Sequence, residues 1–180
     1  MGKDKQDEKA TRIAAFEAIV SEYEAGLLRY AARLVNDYNV AQDVVQDTFI
    51  RLFRKWKDEL EPSPKISSWL YRVAHNCAVD YLRKETRHHV LHKRQAREKR
   101  QFVPPDRGEG FRISAEAERA AAALGALDMR EKQLVVLKVY EEKSYREISD
   151  ITGLTVSNVG YILHHAMKKL AAELKRAKAI

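Results

Sequence analysis

The sequence predicts an all-α protein built as two small helical domains, an N-terminal unit of three to four helices and a C-terminal helix-turn-helix unit, joined by a basic flexible linker. Three observations carry this. Apolar residues recur at helical spacing through most of the chain, while the alternation expected of strands is weak throughout. Glycine (7) and proline (4) are scarce, so few positions force the chain to break. The charge is segregated: residues 1–82 hold 12 Lys/Arg against 13 Asp/Glu, residues 83–112 hold 10 against 4, and residues 113–180 hold 11 against 9. A central block holding most of the net +7 points to a phosphate-bearing partner, although a solvated tether has the same composition.

Composition also excludes classes. With 45% hydrophobic residues the chain can fill a core, yet it has no apolar run of the roughly 18 residues needed to enter a membrane. The opening stretch MGKDKQDEKA lacks the apolar centre of a signal peptide. A single cysteine, Cys77, rules out an internal disulfide and fits a reducing, cytoplasmic setting.

Taken in order, residues 1–10 are mixed in charge without periodicity and are expected to be a disordered tail. The first domain is expected over 11–86. Its first helix carries Ile13, Phe16, Ile19, Val20, Tyr23, Leu27, Leu28, Ala31 and Leu34 at helical spacing. Asn36, Asp37 and Asn39 supply turn chemistry before a second helix over about 41–56, with Val44, Val45, Phe49, Leu52, Phe53 and Trp56 apolar. Pro62 and Pro64 suit no helix interior, so residues 59–68 read as a loop. Ser67 then caps a third helix bearing Trp69, Leu70, Val73, Ala74, Cys77, Ala78, Tyr81 and Leu82. Beyond Leu82 the pattern decays into a basic linker, residues 87–113, punctuated by Pro104, Pro105, Gly108 and Gly110, and Arg83 to Arg100 are able to become helical when bound.

The second domain is expected over 114–177. After a helix from Ser114 to Leu127, a segment centred on Leu134, Val135, Val136, Leu137, Val139 and Tyr140 is apolar almost all round and reads as a buried helix. Residues 144–170 then spell a short helix, a turn and a longer helix. Ser144 and Glu147 form a capping box, Gly153 stands where a left-handed C-cap is needed, and Thr155 caps the second helix. Val156, Val159, Leu163, Ala166, Met167, Leu170 and Leu174 form its apolar stripe; Ser157, Asn158, Tyr161, His164, His165 and Lys168 face outward. This is the layout of a helix-turn-helix, which an ordinary helical hairpin partly shares.

Catalytic chemistry is not indicated. Asp43 and Asp47 share a helix face, but without the contrasting environments that paired catalytic carboxylates need they read as an acidic surface for a basic partner. His88, His89 and His92 lack a ligand set for a metal, and no phosphate-cradling glycine loop or nucleophile motif occurs; no cofactor is expected and the chain reads as no enzyme. The third helix is more informative, since Trp69, Tyr71, Arg72, His75, Asn76, Asp80, Tyr81, Arg83 and Lys84 combine rings that stack on unpaired bases, amides that read base edges and cations that neutralise phosphate. A core helix with a polar outer face would carry a similar mix.

Together the motifs AQDVVQDTFIRLFRKW (41–56), SSWLYRVAHNCAVDYLRK (67–84) and residues 127–170 resemble the extracytoplasmic-function (ECF) group of bacterial sigma-70 RNA polymerase sigma factors, over about residues 12–175. The resemblance implies a transcription initiation factor that binds core RNA polymerase and directs it to −10 and −35 promoter elements, with an N-terminal promoter-melting domain. It implies polymerase binding by Asp43, Gln46, Asp47, Phe49, Leu52 and Phe53, and −10 contacts by Asn76, Asp80, Arg83 and Lys84 beside the 59–68 loop. It gives the −35 element to Ser157, Asn158, Tyr161, His165 and Lys168, and adds an anti-sigma factor as a partner type that no residue here reveals. Departures are Gln42 where the family has Glu, Tyr161-Ile162 where it has Ser-Arg, and His165 where it has Arg. The competing readings are a stand-alone helix-turn-helix repressor or activator and a helical adaptor without nucleic acid.

Overall fold

The computed structural model describes residues 2–55, 61–95 and 115–178, and every element among them is a helix. Helices α1 (Gly2–Val35), α2 (Tyr38–Lys55) and α3 (Pro64–Gln95) form the N-terminal unit. Helices α4 (Ala115–Gly125), α5 (Met129–Val135), α6 (Tyr145–Thr152) and α7 (Val156–Lys178) form the C-terminal unit, with α5 running on into a π-helical turn, Val136–Tyr140.

Local chemistry sets the boundaries. Asn36 takes a left-handed φ of 56° to end α1, and the Asp37 carboxylate accepts from Val40 N at 3.1 Å to start α2, three residues ahead of the expected start. Asn39, expected in the turn, lies inside α2. Pro64 opens α3, where its fixed φ and missing N–H cost nothing, and Ser63 Oγ accepts from Ile66 N at 3.3 Å. The loop therefore ends at Ser63, and the expected Ser67 cap lies within the helix. Two further expectations are corrected. Residues 2–10 are part of α1 rather than a disordered tail, and residues 87–95 of the expected linker continue α3. Once a helix is nucleated by its buried turns, Lys, Glu, Gln and Arg propagate it without any apolar stripe. The remainder of the linker expectation, 96–113, falls outside the described residues.

In the N-terminal unit Leu27, Ala31, Leu34, Val44, Val45, Leu52, Leu70, Ala74 and Ala78 pack where α1, α2 and α3 meet. Of the segment expected to be buried, Leu134, Val135, Val136 and Leu137 are all at 0% exposure, whereas Val139 is 47% exposed and Tyr140 only partly buried. In α7, Val159, Leu163 and Ala166 are buried, while Val156 and Met167 of the expected stripe are exposed, because one lies in the free first turn and the other on the flank of the 159–163–166 line.

The two units are not beads on a tether. Their apolar side chains form one continuous core, in which Tyr71 of α3 and Val135 and Val136 of the C-terminal unit are buried. α6 packs on α3, and the π-helical turn packs on α1.

Candidate protein and nucleic-acid interfaces

Three helix faces hold the site residues expected from sequence, and each is built by the packing behind it. On α2, a stripe including Val44, Val45, Thr48 and Leu52 faces the core, which turns Asp43, Gln46 and Asp47 outward to solvent. Phe49 is buried and Leu52 wholly so, and these two shape the face from behind. Phe53 is 42% exposed at the rim. Phe16 of α1 meets Phe49 and Phe53 edge-on at 6.2 and 5.2 Å, a favoured aromatic geometry. The Arg12 guanidinium lies 5.0 Å from the Phe53 ring centre and donates to the Phe53 carbonyl at 2.8 Å. Between α1 and α2 this leaves a mainly apolar groove of about 800 Å³, lined by Phe16, Val20, Leu28, Phe49 and Phe53 with Asp43 and Gln46 at its edge. An apolar floor with an acidic margin suits a helix that carries both apolar and basic side chains.

On α3, Asn76, Asp80, Arg83 and Lys84 are exposed along one side, and Asp80 pairs loosely with Arg83 at 4.0 Å. Behind them Leu70, Ala74, Cys77 and Ala78 are buried against α1 and α2. Of the other α3 residues singled out from sequence, several are not free for bases. Tyr71 is 4% exposed and sits edge-on to Tyr30 at 5.2 Å, with its hydroxyl donating to Glu141 Oε2 at 3.0 Å. Arg72 donates Nε to the Ile151 carbonyl at 3.1 Å and Nη2 to the Asp150 carbonyl, capping the C-terminal end of α6. His75 is half-buried with Nδ1 3.2 Å from the Tyr30 hydroxyl. Burial, followed by the charge of Arg130, pushes its pKa down to about 4, so it is neutral at pH 7. Between α3 and the C-terminal unit lies a cleft of about 760 Å³ lined by Asn76, Arg83, Arg87 and Arg130 among others.

On α7, Ser157, Asn158, Tyr161, His165 and Lys168 are all exposed, as is His164. The capping box of Ser144 and Glu147 forms, Gly153 takes φ +74°, and Thr155 Oγ1 accepts from Asn158 N at 3.3 Å. The Tyr161 and His165 rings meet at a 57° tilt, 4.5 Å between centres, which fills part of the face where the resemblance leads one to expect arginine. Lys169 is committed elsewhere, since its Nζ lies 2.5 Å from Oε1 of the nearly buried Glu131.

Among the described residues no His/Cys/Asp/Glu cluster could hold a metal, and no helix is long and apolar enough to cross a membrane. The side chains of His88, His89 and His92 lie outside the described set. Sequence reasoning missed Arg29 and Glu141, which pair across the domain boundary at 3.5 Å, and Gly26, which lies against Tyr71 of α3 and Glu141; contacts between residues so distant in sequence leave no local signal.

Both halves of this arrangement match known families: Sigma-70 region 2 over residues 19–88 and Sigma-70 region 4 over residues 117–170. Full-length relatives include RNA polymerase sigma factor YlaC of Bacillus subtilis, 23% identical over 91% of this chain and 94% of its own. The ECF RNA polymerase sigma factor SigL of Mycobacterium tuberculosis is 27% identical over 92% of each. Among solved structures, CnrH in complex with the cytosolic domain of CnrY superposes with a TM-score of 0.66 at 25% identity, covering 93% of this chain and 98% of that one. The sigma factor RpoE in complex with the anti-sigma factor NepR from Bartonella quintana gives 0.59 at 19% identity, covering 97% and 98%. The α2 and α3 faces fall within the first matched region and the α7 face within the second, an order that a lone helix-turn-helix regulator does not have. The chain belongs to the extracytoplasmic-function group of sigma-70 transcription initiation factors.

Proposed function

We propose that the chain binds core RNA polymerase through α2, holds the opened −10 element along α3 and reads the −35 element with α7. The observation that carries this most is the α2 face, where Asp43 and Gln46 stand exposed at the edge of an apolar groove and Asp47 is exposed on the α3-facing side of the same helix. Phe49 and Leu52 back that face, and Phe53 closes its rim. Asn76 offers an amide to an unpaired base, and Arg83 and Lys84 offer charge to the backbone beside it. Asp80 orients Arg83 through their pairing. On this reading Ser157, Asn158, Tyr161, His165 and Lys168 meet duplex DNA, with much of the affinity supplied by the polymerase.

The chain carries out no reaction of its own and works in the cytoplasm, where polymerase and promoter are. The relatives solved as complexes make an anti-sigma factor a natural inhibitory partner, with the α1–α2 groove as its seat. The domain division is residues 11–86 for the polymerase and −10 unit and 114–177 for the −35 unit, with the basic linker 87–113 between them.

Reconstitution tests the reading. Purified chain plus core enzyme is expected to start RNA at a cognate promoter, and Asp47→Arg is expected to lose core binding at least tenfold while keeping its helical circular dichroism. Tight sequence-specific DNA binding by the chain alone, with no core binding, would instead favour a stand-alone regulator.

A further inference from the structure

Several cations at the seam between the two units have an acceptor of their own. Arg29 pairs with Glu141 at 3.5 Å, Lys132 donates to the Leu34 carbonyl at 2.9 Å, and Arg72 donates to the Ile151 and Asp150 carbonyls. The cleft of about 760 Å³ between α3 and the C-terminal unit is different. Arg83 and Arg87 enter it from α3 and Arg130 from the first turn of α5, and no aspartate or glutamate is among the residues that line it. Arg83 reaches the Asp80 carboxylate at 4.0 Å, but both side chains are largely exposed, so the pairing neutralises little.

Like charges gathered around one cavity repel, and arginine cannot relieve the repulsion by losing its proton. The charge is felt in the cleft wall, where burial first and the Arg130 guanidinium second hold the His75 imidazole neutral. An anionic occupant would supply the missing countercharge, and guanidinium groups hold phosphate oxygens through paired N–H donors.

The rest of the lining narrows the class of anion. Val79 and Leu82 of α3, with Met129, Ile151 and Leu154 of the C-terminal unit, supply apolar area for a flat ring. Asn76 brings an amide that can both donate and accept, and Thr86, whose hydroxyl already donates to the Leu82 carbonyl at 2.8 Å, keeps its oxygen as an acceptor. Concave sites of about 300–1,000 Å³ with apolar walls and a few polar groups are the size that holds small organic ligands. Inorganic phosphate would leave the apolar walls uncovered, and an apolar carboxylate would bring one charge to Arg83, Arg87 and Arg130. A nucleic-acid strand carries one phosphate per base, whereas these cations stand around a single cavity and match the denser charge of a 5′-polyphosphate.

We propose that this cleft binds a nucleoside 5′-triphosphate, with its phosphates on Arg83, Arg87 and Arg130 and its base against the apolar walls. The binding is a property of the free chain and is independent of the polymerase and promoter assignments, so a chain that failed to initiate transcription would still show it.

Calorimetric titration of the full chain at about 0.15 M salt tests this, with GTP and ATP, their monophosphates and nucleosides, and inorganic triphosphate as probes. At least one of GTP and ATP is expected to bind about tenfold or more tightly than its monophosphate, its nucleoside or inorganic triphosphate. Arg87→Gln and Arg130→Gln lie on different elements, and each is expected to weaken that binding about fivefold or more. Both variants should melt no lower than the wild type without nucleotide, since each removes one of the like charges. Arg176→Gln, at the far end of α7, should change the affinity less than about twofold. Hydrogen exchange should slow on nucleotide addition in residues 76–87 and 129–133. Absence of binding at about 1 mM nucleotide would overturn the proposal, as would affinity equal in all three variants or protection confined to other residues. Inorganic triphosphate bound as tightly as GTP and ATP would overturn the nucleoside part of it. An oligothymidylate of about eight nucleotides is the competing occupant, because Asn76 and Arg83 are also assigned to an unpaired strand. If it bound more tightly than either nucleotide, with the same dependence on Arg130, the cleft would be a strand-binding surface and the nucleotide site would fall.

Discussion

Gly153 and Gly26 are both needed as glycine, for opposite reasons. Gly153 has φ +74° and donates its N–H to Ser149 O at 2.8 Å, closing α6, yet a Cβ there would meet nothing within 4 Å. Only the backbone conformation asks for glycine. Gly153→Ala is therefore expected to lower stability by about 1 kcal/mol, with Gly153→Asn costing less because asparagine tolerates the left-handed region. Urea unfolding would measure both, and an Ala variant as stable as wild type would show that the turn has another conformation available. Gly26 has an ordinary helical backbone and a crowded Cβ. The first kind of requirement was legible in the sequence, because Ser144, Glu147, Gly153 and Thr155 stand at fixed offsets within one motif. The second was not, because Tyr71 and Glu141 are distant in sequence and helical periodicity says only that Gly26 lies on α1.

At the scale of elements, periodicity identified buried faces well and helix lengths poorly. α3 was expected to fade past Leu82 because its apolar residues stop there, yet it continues to Gln95 in a sequence of good helix formers. The π-helical turn at Val136–Tyr140 had no signature at all, and its Val136 O to Glu141 N bond of 3.2 Å sets the register that delivers Glu141 to α1. On α7 the exposed polar residues were identified correctly, but two adjacent lysines that look alike in sequence differ in role. Lys168 is exposed and available to a phosphate. Lys169 holds the Glu131 carboxylate, which also accepts from the Asp128 N–H at 3.1 Å to cap α5. Lys168→Ala is expected to reduce the salt dependence of promoter binding by about one phosphate contact without changing the melting temperature. Lys169→Ala should lower the melting temperature of the C-terminal unit, since it leaves a nearly buried carboxylate oxygen short of a partner. Parallel salt titrations and thermal melts separate the two; matching effects would remove the distinction.

For the molecule as a whole, the two units share one buried polar centre as well as one apolar core. His75 of α3 meets the Tyr30 hydroxyl of α1, Gln133 of α5 interacts with that same tyrosine, and Arg130 at the start of α5 adds its charge. Burial raises the Tyr30 pKa further above its already alkaline value, so it remains a neutral hydroxyl and the imidazole must remain neutral beside it. The unfolded chain protonates His75 near its ordinary value of 6.5, while the folded chain resists until about 4. Between these values the unfolded state binds more protons. The contribution is therefore complete above pH 6.5 and is lost as pH falls toward 4, amounting to about 2 kcal/mol at pH 5. Glu141 acts in the opposite sense, because burial raises its pKa and its charge opposes folding less as it becomes protonated. The wild type is expected to be about 2 kcal/mol less stable to urea at pH 5 than at pH 7. His75→Gln, which keeps a hydrogen-bonding group beside Tyr30 without a titrating one, should remove most of that difference. Because α1, α3 and α5 meet at this point, the loss should appear as one cooperative transition in which both units weaken together. Two separate transitions, with only one of them sensitive to pH, would mean that the shared core does not couple the units in solution.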